Sequence, residues 1–288
     1  MYARVLHAPD QPTLEAFLCK HKDSSMVLRS NLLADGIEDT GGRFAGVYAG
    51  AFDAGGALRA VAAHYRAWGN VFPQAESDDA LDAAVRCAVD ASGLRVRGVI
   101  GLRPLVRRAI AHLDLHSARR NYDANEGLYA LDLEQLRKPA LLLDPEVELR
   151  ALCSSDDAFF LEWLRDYEVN TLGAPDDDAL RARCQADFER MLASGEPCVL
   201  SHAGIPRAKT NFNARLPDMA QVGGVYTPPA QRGRGYARSA VALSLIKARS
   251  RGVKRAVLFT GEDNHSAIAA YRAIGFTRID DFAIVLFA

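Results

Sequence analysis

One stretch constrains the fold of this chain more than any other: Gly223-Gly-Val-Tyr-Thr-Pro-Pro-Ala-Gln-Arg-Gly-Arg-Gly-Tyr-Ala237. A β-branched and aromatic run ends at Pro228 and Pro229, because proline has no N–H to give to a sheet ladder. Gly233 and Gly235 then alternate with Arg232 and Arg234. Glycine reaches positive φ without penalty and lets backbone come close to a ligand. A long helix is predicted directly after, over Gly235–Arg251. The unbonded N–H groups at such a helix start, with the dipole behind them, form an anion site. Successive amides in the turn can cradle phosphate oxygens, and arginines add charge and paired donors. Two common phosphate loops are excluded on named residues. No Gly-Lys-Ser/Thr follows, so this is not a nucleoside-triphosphate loop. Arg238 stands where a dinucleotide fingerprint needs a third glycine or alanine. A strand–turn–helix with surface arginines and no ligand stays open as the alternative.

The rest of the second half extends this pattern. Helices are predicted over Asp156–Thr171, with Ser154 or Ser155 as cap, and over Asp177–Ala193 with aspartates at its N-terminal end. Strands are predicted over Pro197–Ala203, Ala208–Ala214 and Ala220–Thr227. After the long helix come strand Arg255–Thr260, helix His265–Ile274 and strand Arg278–Phe287. The first half shows a similar order more weakly. It reads as helix Leu14–Ala34 and strands Arg43–Ala51 and Ala57–Tyr65, joined by an Asp53–Gly56 hairpin turn. A third strand over Trp68–Phe72, helix Asp79–Asp90, strand Val96–Gly101, a helix after Pro104 and strand Gly127–Leu131 follow. Arg137–Glu146 holds two prolines and reads as a linker. The predicted division is 1–145 and 146–288, and the two halves read as copies of one α/β unit.

The loop and a second run further on together resemble the GCN5-related N-acetyltransferase (GNAT) superfamily. Arg232-x-x-Gly235-x-Ala237 follows an apolar strand, and Asn264-x-x-Ala267-x-x-x-Tyr271-x-x-x-Gly275-Phe276 follows it in the family's order and spacing. The resemblance covers roughly Val147–Ala288. The first half matches only in element order, and its equivalent stretch, Gln74–Asp79, is acidic and would repel a pyrophosphate. The implied fold class is α/β, an α+β mixed sheet: two GNAT-like domains in tandem, each a mainly antiparallel sheet flanked by helices, with 1–145 degenerate and 146–288 binding acetyl-CoA.

The resemblance also implies roles. Backbone amides of Arg232, Gly233, Arg234, Gly235, Tyr236 and Ala237 would hold the pyrophosphate of acetyl-CoA. Val225, Tyr226 and Thr227 would pair with the pantetheine arm like an added strand, one of their amides polarising the thioester carbonyl. Asn264 would bond the pantetheine while capping a helix, with Ala267 beside it. Arg238, Lys247 and Arg249 are candidates to reach the ribose phosphate, with a merely solvated helix face as their alternative. Tyr271 would protonate the leaving thiolate, since a phenol stays protonated at neutral pH; packing against Ile268, Ile274 and Phe276 is its alternative role.

The general base is absent from its usual strand position, because Gln221-Val-Gly-Gly-Val225 holds no acid. Glu262, Asp263, Glu168 and His202 are the candidates, or the acceptor has a low amine pKa. The glycine pair is expected to leave room for a bulky acceptor. The acid-rich span Asp156–Glu196 suits a cationic amine such as a polyamine, an aminoglycoside or a lysine side chain; solvated helix faces give the same pattern. A net charge of −1 over 288 residues creates no field for nucleic acid or an anionic membrane. The five cysteines are scattered and the seven histidines show no metal-like spacing, so a reduced, cytoplasmic, metal-free protein is expected. No apolar run approaches a membrane span of roughly 18 residues, and no signal peptide is evident. The expected activity is transfer of acetyl from acetyl-CoA to a primary amine on a small molecule or peptide, by a monomer or homodimer. The alternatives are a non-catalytic CoA-binding regulatory protein, or an acyltransferase with another donor or acceptor.

Overall fold

A computed structural model describes residues 1–170 and 173–288. Its elements, in chain order, are β1 (Tyr2–Val5), α1 (Gln11–Lys20), α2 (Met26–Asp35), β2 (Gly46–Phe52), β3 (Leu58–Tyr65), β4 (Asn70–Ala75), α3 (Asp78–Ser92), β5 (Gly98–Leu102), α4 (Arg103–His112), β6 (Arg120–Asp132), β7 (Val147–Ala151), α5 (Asp157–Asn170), α6 (Asp178–Ser194), β8 (Cys198–His202), β9 (Ile205–Arg215), β10 (Met219–Tyr226), α7 (Tyr236–Arg249), β11 (Arg255–Gly261), α8 (His265–Ala273) and β12 (Thr277–Phe287). They pack into two compact units. One holds Met1–Ala130, Phe259–His265 and Arg278–Ala288; the other holds Leu131–Leu258 and Ser266–Thr277.

In the first unit the strands run β1-β2-β3-β4-β5-β12-β6. Neighbours are antiparallel from β1 to β4, β4 and β5 are parallel, and β12 returns antiparallel to β5. Alternation along the strands sorts two cores. Ala49, Ala51, Ala60 and Ala62 turn toward α3, whose Ala80, Leu81, Ala84, Val85 and Ala88 recur at helical spacing. Tyr48, Val61, Ala63 and Tyr65 turn to the other face, against Leu14, Phe17 and Leu18 of α1 and Leu28 and Leu32 of α2. Two helices replace the single expected helix Leu14–Ala34. The chain bends at His21–Ser25, where the buried Ser25 hydroxyl donates to the Leu18 carbonyl at 2.8 Å.

The β4–β5 ladder covers only Asn70–Val71 against Gly98–Val99, although β4 runs on to Ala75. The space beyond is closed. A Cβ on Gly101 would lie 3.3 Å from the Pro73 carbonyl oxygen, and Gln74, only 2% exposed, accepts from the Ser24 hydroxyl. Of the acidic stretch Gln74–Asp79, Glu76 pairs with Arg59 while Asp78 and Asp79 form the first turn of α3.

Glu126 of β6 stands apart in this unit. It has no ion-pair partner among the described residues, and burial alone pushes its carboxyl up to about 7. Its neighbour Gly127 faces Arg278, so by strand alternation Glu126 turns to the opposite face.

In the second unit the order is β11-β10-β9-β8-β7, with β10 parallel to β11 and the other pairs antiparallel. α5 and α6 cover one face through Phe160, Leu164, Leu180 and Phe188, and α7 covers the other through Tyr236 and Ala240. This is the expected mixed sheet, mainly antiparallel and flanked by helices. Asp177 caps α6 by accepting the Leu180 amide at 2.8 Å, and Gly195 ends the helix at φ +64°. α5 starts differently from expectation. A short 3-10 turn precedes it, where the Asp156 carboxylate accepts the Cys153 amide at 2.9 Å, so neither Ser154 nor Ser155 is the cap. The expected end of that helix, Thr171, lies outside the described residues. Two short strands, β1 and β7, were not read from the sequence.

The cut at 145 expected from the sequence and the compact units are different divisions, because residues 131–145 pack with the second unit and Arg278–Ala288 with the first.

Candidate functional site

β10 sets up the site. Its parallel ladder with β11 covers Met219–Gln221 and ends there, while β10 continues to Tyr226. On its other side the register jumps: Gly223 pairs Asn211, then Tyr226 pairs Lys209. Gly224 and Val225 thus oppose Thr210 alone, a one-residue bulge with Gly224 at φ +56°. The strand ends of Val225, Tyr226 and Thr227 are turned by this bulge. The expected room beside the glycine pair is absent. A Cβ on Gly223 would fall within 2.3 Å of the Asn213 amide, and one on Gly224 within 1.7 Å of Asn211 Oδ1. These two asparagines bond each other at 2.7 Å and fill the space.

After Pro228 and Pro229 a 3-10 turn leads to Arg232-Gly-Arg-Gly235. Gly233 and Gly235 take φ of +78° and +83°, left-handed values that strain any other residue. Gly235 is the N-cap of α7 and has no side chain to offer its amides. The first amide of this turn with an acceptor is that of Ser239, which donates to the Gly235 carbonyl at 3.1 Å. Among the described residues, the amides of Gly233, Arg234, Gly235, Tyr236, Ala237 and Arg238 have no hydrogen-bond acceptor. Three buried polar atoms flank them without partners: Thr227 Oγ1, Gln231 Oε1 and Ser239 Oγ. Buried polar groups are nearly always satisfied, so this cluster suits a polar ligand. Arg232 Nε donates back to the Thr227 carbonyl at 3.1 Å and ties the loop to the strand end.

Tyr236 begins α7 with its ring inward, 5% exposed, and its hydroxyl 2.9 Å from His202 Nδ1. Its ring is taken up by this packing, so what it offers the loop is its backbone amide. Arg238 stays at the loop, its guanidinium Nε 3.1 Å from where a Cβ on Gly235 would sit. The expected reach of Lys247 and Arg249 is corrected: they donate to the Leu149 and Leu133 carbonyls and brace the helix.

Tyr271 is 8% exposed on α8, edge-to-face with Phe276 at 6.0 Å. Burial, with Tyr167 of α5 beside it, holds its phenol well above the ordinary range, so the proton stays on oxygen. The neighbouring Asp166 accepts the Tyr226 hydroxyl, and Trp163 packs on the Tyr226 ring at 5.8 Å. Helix α5 therefore touches both the bulged strand and the environment of Tyr271. Ala267 lies one turn before Tyr271 on α8. Asn264 falls in the first unit, its amide donating to the Gly261 carbonyl at 3.1 Å.

The candidate bases are mostly committed elsewhere. Glu262 is paired with Arg278 and Arg103, which hold it below the usual carboxylate range. Glu168 pairs with Arg183, and His202 bridges Tyr236 and Asp144. Asp263 stays exposed. The acid-rich span is likewise neutralised in large part: Asp156, Asp176, Asp178, Asp187 and Glu196 pair with Arg150, Arg165, Arg181, Arg190 and Arg215.

Two features escaped the sequence reading. Lys209 is 3% exposed with no carboxylate partner among the described residues; its Nζ donates to the Gly224 carbonyl at 3.0 Å and lies 5.4 Å over the Phe160 ring. Burial lowers its pKa to about 8. The only advance signal was a lysine amid the predicted strand Ala208–Ala214. Asp144, Glu146 and His202 also bring their ligand atoms within 4.8 Å. Their separation along the chain hid this from a spacing argument.

Residues 154–276 match the acetyltransferase (GNAT) family. A mycothiol acetyltransferase from Cellulomonas flavigena is 36% identical over 76 residues, which cover 24% of this chain and only 22% of that relative. A Drosophila protein of solved structure superposes with a TM-score of 0.69 at 12% identity, covering 99% of this chain and 98% of that one. A tandem GNAT protein from the clavulanic acid biosynthesis pathway gives 0.52 at 14% identity, over 98% and 97%. At these identities the two structures speak for the fold. No helix among the described residues is long and apolar enough to cross a membrane.

Proposed function

With residues 154–276 established as a domain of the acetyltransferase (GNAT) family, we propose that the chain moves an acetyl group from acetyl-CoA to a primary amine by direct attack. The observation that carries this is the run of amides without acceptors from Gly233 to Arg238, set at the end of a strand whose ladder has already stopped. Those amides suit a diphosphate, which a helix start favours. Val225, Tyr226 and Thr227 offer backbone groups to an extended arm along the free side of β10. Bound acetyl-CoA supplies the thioester whose acyl group is transferred.

Tyr271 is the proton source for the departing thiol, its buried phenol keeping its proton throughout the neutral range. Because three of the four candidate bases are held in pairs or bonds, the acceptor is an amine that reaches the site neutral. The ion-paired acids of α5 and α6 weaken the case for strong attraction of a polycation. We read residues 1–145 as the degenerate copy and 146–288 as the active one. The filled space beyond the β4–β5 ladder supports this, since Pro73, Gly101 and Gln74 leave no room for an arm there. Five free cysteines fit a reducing, cytoplasmic setting.

The committed bases also favour a second reading, a CoA-binding regulatory protein without turnover. The test has two stages. Acetyl-CoA at well above micromolar concentration should raise the melting temperature, because binding to the native state stabilises it; no shift refutes the cofactor reading. Release of free thiol with a panel of amines then supports the enzyme, and its absence with every amine supports the regulator.

A further inference from the structure

We propose that Lys209 is a positioning residue for acyl transfer: by holding the Gly224 carbonyl it aims the Val225 N–H at the place where negative charge develops on the thioester oxygen. The proposal rests on the acetyl-transfer reading given above.

A lysine buried this deeply is rare unless it is paired with an acid. Lys209 spends its burial on one contact, Nζ to the Gly224 oxygen at 3.0 Å, steadied by the Phe160 ring. Gly224 sits inside the bulge at a left-handed φ that leaves its peptide free to rotate unless something pins it. A trans peptide is planar, and its C=O and N–H point in opposite directions. Fixing the Gly224 carbonyl toward Lys209 therefore fixes the Val225 N–H away from Lys209. Val225 has no register partner on β9, so this amide lies in a part of β10 where the ladder does not dictate its direction. The charge state agrees with such a role. With a pKa near 8 the amine stays mostly protonated at neutral pH, and a charged donor holds a carbonyl about twice as strongly as a neutral one.

The test compares wild type with Lys209→Met, which keeps most of the stem and loses the donor, and Lys209→Arg, which keeps a charged donor. Three readouts are needed: the CoA dissociation constant, kcat with the best amine of the panel, and the infrared carbonyl stretch of bound acetyl-CoA labelled with carbon-13 at the acyl carbon. Lys209→Met should bind CoA within about threefold of wild type while kcat falls on the order of a hundredfold, the scale of losing one oxyanion donor. The carbonyl stretch should return most of the way to its value in water. Lys209→Arg should recover most of both. Lys209→Gln, neutral and one atom short, asks the same question if Lys209→Met does not fold. Unchanged kcat and carbonyl stretch in a folded variant that binds CoA would overturn the proposal. Failure of wild type to bind acetyl-CoA overturns the acetyl-transfer reading instead.

Discussion

Glu126→Gln should make this protein more stable above neutral pH and change little below pH 5. The carboxyl of Glu126 is partly buried on β6 with no ion-pair partner among the described residues, and desolvation raises its pKa from 4.5 to about 7. A carboxyl with a raised folded pKa holds its proton more tightly in the native state. The stability it contributes is full below the unfolded value and is lost as pH rises through the folded value. Each pKa unit is worth about 1.4 kcal/mol, so the shift amounts to roughly 3 kcal/mol when complete at pH 8. At pH 5 less than about 1 kcal/mol has been lost. Glutamine keeps the shape and never ionises. The variant minus wild-type difference should therefore grow by about 2–3 kcal/mol between pH 5 and pH 8, or roughly 3–5 °C in melting temperature. Thermal unfolding of both proteins at the two pH values measures this directly, and acid effects elsewhere cancel in the difference. A difference that is the same at both pH values refutes the argument, since it would mean that Glu126 ionises in the native state at its ordinary pKa.

Gly235→Val places a β-branched residue at φ +83° and should abolish the melting shift given by acetyl-CoA, at a cost of about 1–3 kcal/mol in the free protein; retained binding by calorimetry would sink the loop assignment. Tyr271→Phe should lower kcat about tenfold or more and leave the CoA dissociation constant within about threefold, whereas equal loss of both marks a structural tyrosine. Arg232→Ala removes the tie to the Thr227 carbonyl and should weaken CoA binding about tenfold, with a small effect on melting temperature.

The parts of the fold that were legible were those with strong local chemistry. Proline at 228 and 229, glycine at 233 and 235 and the apolar period of α7 each dictate local conformation, so the strand–loop–helix appears as expected. The hairpin at Asp53–Gly56 was legible for the same reason, and the Asp53 carboxylate accepts the Gly55 and Ala57 amides at 2.9 Å. What the sequence hid depends on partners far away in the chain. Lys209 is meaningful only because a bulge turns the Gly224 carbonyl toward it. The clearance beside Gly223 and Gly224 is decided by Asn211 and Asn213 on another strand, so two glycines suggested room where there is none. The arginines that neutralise Asp156 and Glu196, on either side of α5 and α6, come from β7 and β9, beyond the reach of a charge count along that span.

Strand β12 ties protein synthesis to structure. The open side of β5 is completed by Phe282–Leu286, which are made only after every residue of the second unit. Until then Val99 and its neighbours, together with the Ala283, Val285 and Phe287 share of their core, have no cover from that side. The first unit cannot mature while it is being translated; it must wait, partly formed, through the whole emergence of the second. A shortened message ending before residue 277 would thus yield an incomplete amino-terminal half, and quality control would meet that lesion at the opposite end of the chain from the missing codons.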